Sequence, residues 1–136
     1  MKKIIGIAAA IAVCVGIYLV TASPAATGGH TFEWIADTFS VDTGEAAWIN
    51  YFFRKGMHFC TFGVLAVLLF FILPKWKRRY MLSWLLVTLY AATDEWHQLH
   101  VPGRSGSIKD VLLDAIGAAV ALCIVYLIRR KIGKRR

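Results

Sequence analysis

Four apolar runs divide this 136-residue chain: Ile4–Ala22, Met57–Leu73, Tyr80–Thr93 and Ile108–Ile128. A membrane-spanning helix needs about 20 predominantly apolar residues, within a range of roughly 17–25. The first, second and fourth runs meet that requirement by themselves. The third meets it only if its helix continues to about Gln98, carrying Asp94 and Glu95 with it. Backbone N–H and C=O groups in lipid have to be paired inside the structure, and unbroken apolar runs of this length pair them as helices. The expected fold is an all-α membrane protein, a bundle of four transmembrane helices near 4–22, 57–73, 80–98 and 108–128. The whole chain, 1–136, is then one transmembrane domain with an outer segment at 23–56 and a basic tail at 129–136.

Composition agrees, since 58% of the residues are hydrophobic against about 45–50% apolar in ordinary soluble domains. The three cysteines, Cys14, Cys60 and Cys123, lie far apart inside apolar runs. They read as small packing residues, not as a disulfide framework or a zinc site.

A net charge of +8 would point to nucleic acid in a soluble protein, but its distribution points to membrane topology. With alternating spans, one side receives Lys2, Lys3, Lys75, Lys77, Arg78, Arg79, Arg129, Arg130, Lys131, Lys134, Arg135 and Arg136, which is twelve of the sixteen basic residues. The other side receives all eight acids and all four histidines. The positive-inside rule places both termini in the cytoplasm, and the basic tail becomes an anchor at anionic lipid heads. No nucleic-acid partner is expected. Lys2-Lys3, the first run and Thr21-Ala22-Ser23 have the outline of a secretory signal peptide. The run is longer than the usual 7–15 residue core, however, and Pro24 disfavours cleavage, so it is read as a retained span.

Between the first two runs, Phe32, Ile35, Ala36 and Phe39 follow helical spacing. They suggest a short amphipathic helix at the outer interface. Trp48, Tyr51, Phe52 and Phe53 read as an aromatic belt before the second span.

The chemistry concentrates in Asp94–Asp114, DEWHQLHVPGRSGSIKDVLLD, which holds four carboxylates, two His, a Gln, an Arg and a Lys between apolar flanks. Ionisable groups at membrane depth are costly and mark function by default. Asp94, His97 and Gln98 share a helix face at i, i+3 and i+4, with Glu95 rotated about 100° from Asp94. Counted from Tyr80, Asp94 lies only about 21 Å along the axis, against a hydrocarbon core of about 30 Å. Asp110 and Asp114 form a second i, i+4 pair, continued by Gly117 and Ala121, small residues that permit close helix approach. Lys55 and His58 stand at i, i+3 on the second span. Val101–Ser107 is a Pro- and Gly-rich connection whose Arg104 can fork onto a carboxylate or phosphate. Ser107 is placed to cap the last helix, with Asp110 at its third position in a relative of the capping box.

Lys55-x-x-His58-Phe59, then Asp94-Glu95-x-x-Gln98, then Pro102-Gly103-Arg104, then Asp110 and Gly117, resemble the VanZ-like family of small bacterial membrane proteins. The resemblance covers about Arg54–Tyr126 and leaves Ser23–Arg54 outside its motifs. It implies a polytopic helical protein of the cell envelope. Its namesake is linked to resistance to teicoplanin-type glycopeptide antibiotics, so the family name supplies a process and not a reaction. Asp114 departs from the Asn expected before the glycine of the last helix.

Three functions fit these residues. The first is binding of a lipid-linked cell-wall precursor, an anionic lipid or a glycopeptide near the outer leaflet. Lys55, His58, Asp94, Glu95, Gln98, Arg104, Asp110 and Asp114 are the ligand-binding candidates, with Lys109 as a further base. The second is a membrane enzyme with Asp94 or Glu95 as acid or base and His58 as partner, in a metal-assisted form using His58, Asp94, Glu95 and Asp110. The third is a buried ion-pair network that fixes helix register. No HExxH or standard zinc spacing is present, so no metal is assigned. No nucleotide, haem or flavin signature is present, so no cofactor is expected. The expected location is the bacterial cytoplasmic membrane, with the polar cluster on the outer side and membrane lipids as partners.

Overall fold

The computed structural model describes residues 2–23 and 26–134. Pro24, read above as disfavouring cleavage, and Arg135 and Arg136, expected in the basic tail, lie outside the described residues. The described residues form five helices and no strand: α1 (Lys2–Ala22), α2 (Gly28–Phe39), α3 (Thr43–Ile72), α4 (Arg79–Gln98) and α5 (Ile108–Gly133).

Three of the helices, α1, α3 and α5, are long and apolar enough to cross a membrane. The fourth long helix, α4, does continue through Gln98, but Ser83, Thr88, Thr93, Asp94 and Glu95 dilute its apolar surface. Many large aliphatic side chains of α1 and α5 face outward, among them Ile4, Ile11, Ile116, Val120 and Ile124. Cys60 and Cys123 are also exposed, while Cys14 is half-buried.

The second expected span starts earlier than its apolar run. Helix α3 begins at Thr43, not Met57, and its 30 residues extend about 45 Å. Asp42 explains the early start, because its carboxylate accepts from the N–H of Gly44 at 2.7 Å and of Glu45 at 2.9 Å, an N-cap that satisfies orphan donors. Trp48, Tyr51, Phe52 and Phe53 therefore lie on the exposed first turns of α3 and not in a loop. Before them, α2 forms where the Phe32–Phe39 spacing indicated. It ends at Ser40 in a left-handed conformation with φ 50° and buries Ile35. Asn50 clamps α2 to α3, accepting from Thr31 Oγ1 at 2.6 Å and donating to the Gly28 carbonyl at 2.9 Å.

Contacts define two ends. At one, the start of α1 meets the end of α3 through Gly6 and Ile72. The Phe70 and Tyr80 rings lie 4.3 Å apart there, and Arg79 sits 4.0 Å from the Phe70 ring centre. Lys75, Lys77, Arg129 and Arg130 surround that end. The opposite end gathers Thr21, Asp94, Lys55 and Asp110. Helices α1 and α4 thus run one way, and α3 and α5 the other. Two bonds from side chain to main chain lock α4 in place, Tyr90 to the Cys14 carbonyl at 2.6 Å and Trp84 to the Ala115 carbonyl at 2.9 Å. The core is Phe62, Leu65, Ala66, Phe70, Val87, Ala91, Ala118 and Leu122, with Ala10 and Ile17 of α1.

The α4–α5 connection turns at Val101–Arg104, where the Arg104 N–H bonds the Val101 carbonyl at 3.1 Å. Pro102 presets the first central position and Gly103 takes φ 77° at the second, the positions Pro and Gly favour in a type II turn. Gly103→Ala is expected to cost about 1–2 kcal/mol through left-handed strain alone, read as a lower melting temperature in detergent. An unchanged melting temperature would mean that the turn is not held in this conformation.

Candidate functional site

The polar end is assembled from four helices. Asp94, Glu95 and Gln98 of α4 and Asp114 of α5 are 4%, 4%, 3% and 0% exposed. Gln98 Nε2 donates to Asp94 Oδ2 at 2.8 Å and to Glu95 Oε1 at 3.2 Å, joining the two carboxylates. Thr21 Oγ1 of α1 donates to Asp94 Oδ1 at 2.8 Å. His58 of α3 places Nδ1 3.4 Å from Asp114 Oδ2. Lys55, one turn earlier, forms an ion pair with Asp110.

The cap of α5 differs from the expected one. Ser107 accepts from the Lys109 N–H at 3.2 Å. Asp110 does not complete a capping box, because its carboxylate is taken by Lys55. Glu95 substitutes from another helix, its Oε2 accepting the Ser107 N–H at 2.8 Å. Gly106 makes this approach possible, since a Cβ there would collide with the Glu95 carbonyl oxygen and meet Leu99 Cγ at 2.8 Å.

Arg104 turns its terminal nitrogens onto the protein. Nη1 donates to Gln98 Oε1 at 3.1 Å, and Nη2 donates to the carbonyls of Val20 at 3.0 Å and Ala26 at 2.7 Å. It thereby orients the Gln98 amide so that its NH2 faces both carboxylates, and it ties the end of α1 to α4. Burial, reinforced by the like charge of Arg54, holds this guanidinium below its ordinary range. His97, which shares the Asp94 face, lies against Tyr18 with ring centres 4.6 Å apart and planes tilted by 31°.

The structure therefore brings Lys55, His58, Asp94, Glu95, Gln98, Arg104, Asp110 and Asp114 to one end of the helices. Three contributors were not singled out from sequence. Thr21 bonds Asp94 across 73 positions, a pairing that no spacing rule reaches. Arg54 and Asn50 line the same cavity as Lys55 and His58. Once α3 is extended back to Thr43, Arg54 and Asn50 stand four and eight residues before His58, on its face of the helix, and that spacing is the signal that would have found them.

A cavity of about 440 Å³ opens at this end, lined among others by Gly28, Arg54, Lys55, His58, Glu95 and Asp110. A second, apolar cavity of about 300 Å³ runs between α1 and α3, lined by Val13, Ile17, Val20, Met57, Phe62 and His58 among others. His58 is common to both cavities.

Long apolar helices closed around a buried, acid-rich cluster define a helical membrane protein with a buried polar site. More particularly, the chain belongs to the VanZ/LLP1 family, whose sequence model matches residues 6–129. The match takes in α1 and α2, which the motifs from Lys55 onward do not reach. No curated protein and no solved structure matches the chain.

Proposed function

We propose that this envelope membrane protein binds an amphiphile whose anionic head enters the polar cavity and whose apolar tail lies between α1 and α3. That His58 lines both the polar and the apolar cavity carries the reading. Arg54 and Lys55 line the polar cavity, Lys55 paired there with Asp110, and the N-terminal turn of α2, with Gly28 and Gly29 in the lining, adds main-chain donors. A lipid-linked cell-wall precursor combines such a head and tail. Capturing it at the outer leaflet connects the site to glycopeptide susceptibility, teicoplanin resistance being the process of the family's namesake. In this reading α4 crosses the bilayer with α1, α3 and α5. The alternating directions of the helices and the basic residues collected at one end support four spans, cytoplasmic termini and an outward-facing polar site in a bacterial cytoplasmic membrane.

Binding of a polyprenyl diphosphate and of the matching polyprenol to the purified chain in detergent tests this. The diphosphate is expected to bind at least ~10-fold more tightly than the alcohol. Lys55→Ala or Arg54→Ala is expected to remove roughly 10-fold each, the value of one hydrogen bond to a charged group. Equal affinity for alcohol and diphosphate would end the anionic-head reading.

A further inference from the structure

Asp94, Glu95 and Asp114 are buried together without a Lys or Arg partner among the described residues, and Asp114 has only the His58 ring beside it at 3.4 Å. Asp94 accepts from Thr21 and Gln98, and Glu95 from Gln98 and the Ser107 N–H. All of these donors are neutral. The Lys55 ammonium is on Asp110, and the terminal nitrogens of Arg104 are on Gln98 and two carbonyls. Among the described residues, no Lys or Arg forms an ion pair with any of the three carboxylates. Neutral donors satisfy lone pairs but leave net charge, and removing a carboxylate from water costs several kcal/mol per ion unless that charge is met.

A second observation points to what meets it. One ligand-capable atom from each of His58, Asp94 and Glu95 lies within 4.8 Å of the other two. Two atoms bound to one ion at about 2.1 Å are at most about 4.2 Å apart, so small side-chain rotations close the set. Behind His58 stands Asp114, fully buried, with Oδ2 on the His58 ring and Oδ1 without any partner. A carboxylate accepting the N–H of one ring nitrogen leaves the other with the lone pair a metal requires, and it also fixes the ring's orientation.

We propose that His58, Asp94 and Glu95 bind a divalent metal ion, with Asp114 as the positioning residue that holds His58. One imidazole and two carboxylates suit Zn²⁺ or Mn²⁺; the set lacks the thiolates of copper(I) sites and has too few oxygens for calcium. Each carboxylate offers about four lone-pair sites, so the observed hydrogen bonds and the metal coexist. Three protein ligands leave coordination positions open, and His58 and Glu95 both line the polar cavity through which an ion or an anionic ligand arrives. The amphiphile reading is not required for this site.

The test uses the full chain without a polyhistidine tag, stripped by chelator in detergent and titrated with Mn²⁺ or Zn²⁺ alone. One equivalent is expected to bind at micromolar concentration. The pulsed EPR spectrum of the Mn²⁺ form is expected to show coupling to a single imidazole nitrogen. Glu95→Gln is expected to weaken binding at least ~100-fold, and Asp114→Asn by about 10–100-fold with one equivalent retained. No binding of either ion to the wild-type chain at millimolar concentration overturns the proposal. So does bound Mn²⁺ without nitrogen coupling, a result that does not depend on any variant folding.

Discussion

Gly117→Ala is expected to destabilise the protein, while Gly56→Ala stabilises it. Within a helix, Ala is preferred to Gly by about 0.8–1.0 kcal/mol, and a Cβ on Gly56 meets nothing within 4 Å. On Gly117 the same atom would strike the Phe59 carbonyl oxygen of α3. That oxygen is main chain and cannot rotate aside. On the α3 side of the same crossing the fit is tight but less severe, with a Cβ on Gly63 at 3.3 Å from both the Gly117 carbonyl oxygen and Ala121 Cβ. Separating α3 from α5 here also moves His58 from Asp114, one helical turn away. Overpacking of this kind costs about 1–3 kcal/mol, sometimes more; Gly117→Ala should fall in that range and Gly117→Leu beyond it, with little folded protein recovered from the membrane. Melting temperatures of the two Ala variants decide the matter, and shifts of the same sign would contradict the close crossing.

Arg104→Ala is expected to cost about 3 kcal/mol. Hydrogen bonds to a charged group contribute about 1.5–3 kcal/mol each; three are lost, but the bond to the Val20 carbonyl is solvent-exposed and is discounted accordingly. In a chain of this size the melting temperature should fall by roughly 10 °C. Arg104→Lys should recover only part of that loss, since an ammonium cannot reproduce the planar fork. By sequence Arg104 can fork onto a carboxylate or a phosphate; its three partners here, an amide oxygen and two carbonyls, predict a loss of stability and a reoriented Gln98. A variant with unchanged melting temperature but weakened ligand binding would place the guanidinium on the ligand instead.

Residues with short-range logic were legible without coordinates. Helix α2 followed from Phe32, Ile35, Ala36 and Phe39, the α5 cap from Ser107, and the shared face of Asp94 and Gln98 from their spacing. Hydropathy located α1, α3 and α5 but not the true start of α3, because Asp42 and an aromatic stretch carry a helix without being aliphatic. The bonds that organise the site were hidden for a different reason. Thr21 to Asp94, Arg104 to Ala26 and Glu95 to the Ser107 N–H join groups whose sequence neighbours say nothing of one another. Asp110 was assigned to the cap by local geometry and went to Lys55, a competitor with full charge from another helix.

The composition of α4 has a consequence for how the protein is made. With α4 crossing the bilayer as proposed, it is the one span that lacks the apolarity to enter lipid alone, and its polar face is covered by groups on α1, α3 and α5. Those of α5 leave the ribosome last. Until Ser107 and Asp114 arrive, Glu95 has no main-chain donor from α5 and His58 no carboxylate behind it. Lodging of α4 therefore waits for its successor, and a chain halted before Ser107 presents the insertion machinery with a helix that belongs neither in water nor in fat.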